Sequence, residues 1–254
     1  MRARRISFLR RRSPGPFFFV HVQKAAGTSL TSQLRSRFGP AAVYPDESDL
    51  DPTSTIDGRS VLSVEHLQER WRQRGSEIAV VTGHFPLCTT ELLGGGFHTF
   101  SLLRDPVART LSYLRHHREL TPEARGQSLE EIYDDPFRFE GLVHNHMVKM
   151  FSLTTSEMTE GALTPVAFGP ERLEAAKRGL ETVDVIGVQE DYERFCRSLE
   201  RTFGWRLGDR RHMNRTRPVG VDPAFERRIA EDNADDIALY EFAVELIARR
   251  ASRR

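Results

Sequence analysis

A lysine, a glycine and two hydroxyl residues follow a short apolar run in His21-Val22-Gln23-Lys24-Ala25-Ala26-Gly27-Thr28-Ser29-Leu30. Small residues at a strand-to-helix turn let successive backbone N–H groups point at one spot, where the helix N-terminus adds partial positive charge. Lys24 contributes a mobile cation, and Thr28 and Ser29 contribute hydroxyl donors. Such a cradle suits a phosphate or a sulfate. It is not the G-x-x-x-x-G-K-[ST] loop, because the lysine lies upstream of the glycine instead of directly before the hydroxyl. Taken alone, the segment also reads as a plain turn with a solvated lysine.

A second segment of this kind is Leu102-Leu103-Arg104-Asp105-Pro106-Val107-Ala108-Arg109-Thr110-Leu111-Ser112-Tyr113. Arg104 falls at a strand end and Ser112 about two turns into the next helix. An arginine offers a planar fork of donors to a phosphate, and a serine hydroxyl can close the other side. Two strand-to-helix loops equipped for anions imply a ligand with phosphate-like groups at both ends.

The pair K-x-x-G-T-S and R-D-P-x-x-R-x-x-S resembles the signature of sulfotransferases that use 3'-phosphoadenosine-5'-phosphosulfate (PAPS), and its details are most similar to the carbohydrate, heparan-sulfate-type branch. The resemblance implies that Lys24, Ala26, Gly27, Thr28 and Ser29 hold the 5'-phosphosulfate, and that Arg104 and Ser112 clamp the 3'-phosphate. Ala25-Ala26 stands where Thr-Gly is common in the family, which removes one hydroxyl and leaves the backbone cradle. Weaker matches are Asn145 through Phe151, Val185 through Glu190, and Gly204-Trp205 before Asn214, so the likeness runs from about residue 17 to 217. It implies PAPS as co-substrate, no metal, and a hydroxyl acceptor on a carbohydrate or glycolipid.

Sulfuryl transfer, like phosphoryl transfer, relies on positioning and charge stabilisation. Lys24 is placed to bridge the transferring group and its leaving oxygen. The acceptor hydroxyl must lose a proton, and His84 in Thr82-Gly83-His84-Phe85 is the expected base. It follows a strand, and an unperturbed imidazole pKa near ~6.5 suits proton transfer at neutral pH. Similar sulfotransferases carry a Gly-His there in that role. His66, beside Glu65, is the alternative base on what reads as a solvated helix. His21 reads as a core histidine inside the first strand. His116-His117 and His144-Asn145-His146 lack carboxylates or thiols at metal spacing. Arg206, Arg210, Arg211, Arg215 and Arg217 crowd twelve residues. The family places a loop here over the cofactor, which implies contacts from Arg215, Thr216 and Arg217; the same residues also read as a solvated basic loop.

These groups need a scaffold. Apolar runs at Phe17–Val22, Ile78–Thr82, His98–Leu103 and Val183–Val188 read as buried strands. Between them Thr28–Phe38 and Val64–Gln73 read as helices, Asp191–Phe203 reads as one after the last, and residues 40–58 read as a loop. Asp105-Pro106 and Asp222-Pro223 each give a helix start, the latter opening one long helix to about Ala248. Ser128 and Glu131 predict a capping box. Strand–helix alternation predicts an α/β fold: one P-loop-like domain over residues 17–250 with a mainly parallel sheet flanked by helices. Ligands in such sheets sit at the strands' carboxyl ends.

The 254-residue chain is long enough for such a core, with 39% hydrophobic and 29% charged residues. Net charge is +1, although six arginines lie in residues 1–12 and four more in the last six. Removing those ten charges leaves −9 for the middle, which argues against a nucleic-acid partner and requires any anion site to be local. Residues 1–16 read as an Arg-rich disordered tail. Two cysteines, Cys88 and Cys196, make no disulfide framework and fit a reducing compartment. No stretch reaches the ~18 apolar residues of a membrane span, so a cytoplasmic protein is expected, with basic termini able to meet a membrane surface. Two other readings are a nucleotide-dependent kinase, disfavoured by the missing Walker lysine and magnesium aspartate, and a non-catalytic nucleotide- or glycan-binding module.

Overall fold

The computed structural model describes residues 15–49, 61–207 and 220–252. Five parallel strands form one sheet in the order β2-β3-β1-β4-β5, with β1 at Phe17–Val20, β2 at Val43–Tyr44, β3 at Val80–Val81, β4 at His98–Leu103 and β5 at Val185–Val188. The central strand is β1, whose Phe17 pairs with Val80 on one side and with His98 on the other. All four of its residues are buried, as a parallel strand covered on both faces requires. The pleat divides them: Phe18 and Val20 enter one core with Val81 and Leu103, and Phe17 and Phe19 enter another with Val80, Phe100 and Leu102.

Helices α1 (Gly27–Phe38) and α6 (Tyr192–Phe203) close the second core through Leu30, Leu34, Phe195 and Leu199. The first core is closed by α2 (Val64–Arg74), α4 (His146–Ser152), α5 (Pro170–Thr182) and α8 (Ala234–Ser252). A third, smaller cluster joins α3 (Pro106–Leu120) to α7 (Pro223–Asp232) through Leu111, Leu114, Phe225 and Ile229. The sequence-derived helix starts are present. The Asp105 carboxylate accepts from Ala108 N at 2.8 Å, and Ser128 and Glu131 form a reciprocal capping box.

Two expectations are corrected. Residues 43–44 pair as the edge strand β2 inside the stretch read as loop; two residues give too little alternation to detect. The C-terminal helix is two helices, because the chain breaks at Asn233. The Asn233 side chain accepts from Asn145 N at 2.9 Å and donates to Ile229 O at 2.9 Å, and its backbone leaves the helical region. Among the described residues, no helix is long and apolar enough to cross a membrane. The Arg-rich tail, apart from Gly15 and Pro16, lies outside the described residues.

Candidate active site

The chain leaves β1 toward β2 and leaves β4 toward β5, on opposite sides of the sheet. The carboxyl ends of these neighbouring strands are therefore a topological switch point, where such sheets form a crevice. Both loops expected from the sequence to take anions open there. In the first, Lys24 and Ala26 take left-handed backbone conformations, with φ of 64° and 56°. That alternation curls the loop into a nest, a concavity that favours anions. Helix α1 then begins without a side-chain cap and with no acidic residue in its first turn. The first turn therefore brings no carboxylate of its own to the positive end of the helix. Thr28 is exposed at the loop's mouth, and Ser29 is buried one residue further.

The second loop is docked on the first. Arg104 Nη1 donates to the main-chain oxygen of Lys24 at 3.0 Å. Burial pulls the Arg104 guanidinium below its ordinary value, opposed by the carboxylates of Glu190 and Asp105. Glu190 accepts from Asp105 N at 3.3 Å and from the Tyr240 hydroxyl at 2.9 Å, tying the loop after β5 and helix α8 to this corner. Ser112 sits on α3, buried.

His84 arrives from the loop after β3. Gly83, at φ 120°, makes the turn; a Cβ there would lie 2.4 Å from the Phe85 ring. His84 N donates to Val61 O at 2.8 Å, and its Nδ1 lies 3.1 Å from the main-chain oxygen of His21. The two rings are in contact, with centroids 4.3 Å apart. His21 is accordingly not the core histidine expected inside the first strand. The strand ends at Val20, and His21 sits half-buried at its carboxyl edge beside the base candidate. Its imidazole is held well below the ordinary value, first by burial and then by His84 and Lys24.

The structure therefore brings Lys24, Arg104, His84 and the start of α1 to one edge. Arg215, Thr216, Arg217 and Asn214 lie outside the described residues. His66 is half-buried on α2. Arg109, in the same segment as Arg104, turns inward: it is fully buried and donates to Leu142 O at 3.1 Å and Val143 O at 2.8 Å. Among the described residues, no group of three or more His, Cys, Asp or Glu is placed to hold a metal. His21, read as a core residue, and Glu190, read only within a weak family match, are the neighbours whose place at this edge the sequence did not assign. Nothing in the spacing of His21 and His84, 63 residues apart, marks them as partners.

The human heparan-sulfate 6-O-sulfotransferase 1 is 30% identical over 188 aligned positions, covering 61% of this chain and 44% of that protein. The Chinese hamster (Cricetulus griseus) counterpart is 29% identical, covering 61% and 45%. Over about three fifths of its length, this chain is similar to heparan-sulfate 6-O-sulfotransferases. It spans less than half the length of these curated relatives. Zebrafish (Danio rerio) heparan-sulfate 6-O-sulfotransferase 2 is 30% identical, covering 61% of this chain and 39% of that protein. No family model matches. A solved sulfotransferase from Alicyclobacillus acidocaldarius superposes with a TM-score of 0.48 at 16% identity, covering 94% of this chain and 99% of that one.

Proposed function

We propose that this protein is a sulfotransferase that moves the sulfuryl group of PAPS to a hydroxyl of a carbohydrate. The observation that carries the reading is the junction of the two anion-facing loops through Arg104 and Lys24 O, with His84 at the same sheet edge. The relatives, named as heparan-sulfate 6-O-sulfotransferases, support a sugar hydroxyl as the acceptor class. In this reading the loop from Lys24 to Ser29 cradles the phosphosulfate, and its uncapped helix start suits the charge. Arg104 and Ser112 take the 3'-phosphate. Arg215, Thr216 and Arg217 are assigned to the nucleotide from the sequence resemblance alone.

The chemistry is an in-line displacement. The acceptor oxygen bonds to sulfur as the bond from sulfur to the bridging phosphate oxygen breaks. His84 Nε2 takes the hydroxyl proton, and 3'-phosphoadenosine-5'-phosphate leaves. Lys24 stabilises the charge that develops on the bridging oxygen, an electrostatic role that grows in a partly dehydrated site.

The test is thermal stability of the chain with 3'-phosphoadenosine-5'-phosphate and, separately, with ATP and magnesium. It is followed by transfer of radiolabelled sulfate from PAPS to a desulfated heparan oligosaccharide. A rise with the bisphosphate that vanishes in Arg104→Ala, together with labelled product, is expected. A rise only with ATP and magnesium would replace this reading with a kinase, and a bisphosphate rise without product on any hydroxyl acceptor would leave a binding module.

A further inference from the structure

The His21 ring occupies a slot built from three directions. It stacks on Phe19 with centroids 4.8 Å apart and planes at 12°. It meets the His84 ring at 4.3 Å and 40°. Its Nε2 lies where a Cβ on residue 27 would go, 1.6 Å from that position, so the first residue of α1 must lack a side chain. One imidazole thus touches the end of the central strand, the start of the phosphate-loop helix and the candidate base.

We propose that His21 is a positioning residue that holds His84 as the Nδ1–H tautomer and sets the base in register with the phosphate loop. The inference rests on the reading of His84 as base. The main-chain oxygen of His21 can only accept, so the 3.1 Å contact requires the proton on Nδ1 of His84 and leaves the lone pair on Nε2. That tautomer is ordinarily the minor one of a free histidine. The carbonyl supplies the anchor, and the ring stops His84 from swinging away from it. A neutral His21 is needed for this, since a second imidazolium would repel the one formed as His84 takes the acceptor's proton. Burial, His84 and Lys24 all keep His21 neutral.

The test uses the full chain labelled with 15N-histidine, with the His84 resonances assigned by their loss in His84→Gln. Wild type should show a protonated Nδ1 and an unprotonated Nε2 at His84. His21→Ala should shift His84 toward the Nε2–H form and lower kcat roughly 10- to 100-fold, the scale of a small misplacement. Affinity for 3'-phosphoadenosine-5'-phosphate should stay within about threefold. His21→Phe, which keeps a flat ring in the slot, should restore the Nδ1–H tautomer and most of the lost kcat. An unchanged His84 tautomer in His21→Ala overturns the proposal, as does an unchanged kcat. Should that variant not fold, His21→Leu, which fills the slot without a flat face, decides in the same way. The nitrogen spectrum needs no turnover, so it judges the positioning even if His84→Gln retains full kcat and the base assignment itself fails.

Discussion

Arg104 donates from Nη1 to the main-chain oxygen of Lys24 across 3.0 Å, so one side chain fastens the loop after β4 to the loop after β1. Its fork can hold that carbonyl with one donor and present others to a phosphate. Arg104→Ala is therefore expected to weaken binding of 3'-phosphoadenosine-5'-phosphate by roughly 1.5–3 kcal/mol, about 10- to 150-fold. Arg104→Lys should recover only part of this, because an ammonium is a point charge that cannot span both acceptors in one plane. Calorimetric titration decides: wild-type affinity in Arg104→Ala removes the residue from the nucleotide site.

Gly27 and His21 should be energetically coupled. A Cβ at residue 27 would stand 1.6 Å from His21 Nε2, and only a shift of the ring or of the helix start can relieve it. Gly27→Ala is expected to cost about 1–3 kcal/mol, the range for overpacking. In a His21→Ala background the clash is gone, and the same change should be neutral or favourable by up to about 1 kcal/mol, since alanine suits a helix better than glycine. Urea denaturation of the four proteins gives the coupling. Equal costs in both backgrounds would show that the ring does not fill this space in solution.

The positions of the two strand-to-helix loops, and the sheet that aims them, are legible in the sequence because each is local. Lys24 to Ser29 and Arg104 to Ser112 are continuous runs, and buried parallel strands such as Phe17–Val20 announce themselves as unbroken apolar stretches. What stayed hidden depends on contacts far apart in the chain. His21 reads as strand interior until the strand is seen to stop at Val20 and the ring to meet His84. The break at Asn233 is set by its bonds to Asn145 and Ile229, the first of which spans 88 positions, where local helix propensity has no say. Glu190 closes its corner through partners 85 positions back and fifty on, Asp105 N and the Tyr240 hydroxyl.

Acid should destabilise the protein through two histidines at or near this site. His21 and His146 are both held well below the ordinary imidazole value, and burial is the larger cause in each. His84 and Lys24 add to it for His21; Arg109, Lys149 and His84 add to it for His146, with the Gly141 backbone opposing. The unfolded chain takes up these protons near pH ~6.5 while the folded one stays neutral, so stability is lost as pH falls below that value. Each histidine contributes at most about 1.4 kcal/mol per pH unit. Denaturant curves between pH 7.5 and 5 should show a flatter acid limb in His21→Phe than in wild type. Parallel curves would mean that His21 protonates in the folded state as readily as in the unfolded one.

Arg109 shares the second segment with Arg104 but should answer differently to mutation. Its buried guanidinium caps the carbonyls of Leu142 and Val143, at the end of a short π-helical turn, and also reaches Thr110 Oγ1 at 3.3 Å. Asp236, equally buried, has Arg109 as its main source of electrostatic stabilisation, and it accepts from Met147 N at 3.1 Å and Val148 N at 2.8 Å at the start of α4. Arg109→Met would orphan two buried carbonyls, each about 1–3 kcal/mol, and weaken the electrostatic support of Asp236. Folded protein recovered at low temperature should nevertheless bind 3'-phosphoadenosine-5'-phosphate within about threefold of wild type, a difference under 1 kcal/mol. A variant of normal stability and poor nucleotide affinity would reverse this division, placing Arg109 with the ligand and leaving the turn at residues 139–143 to hold itself.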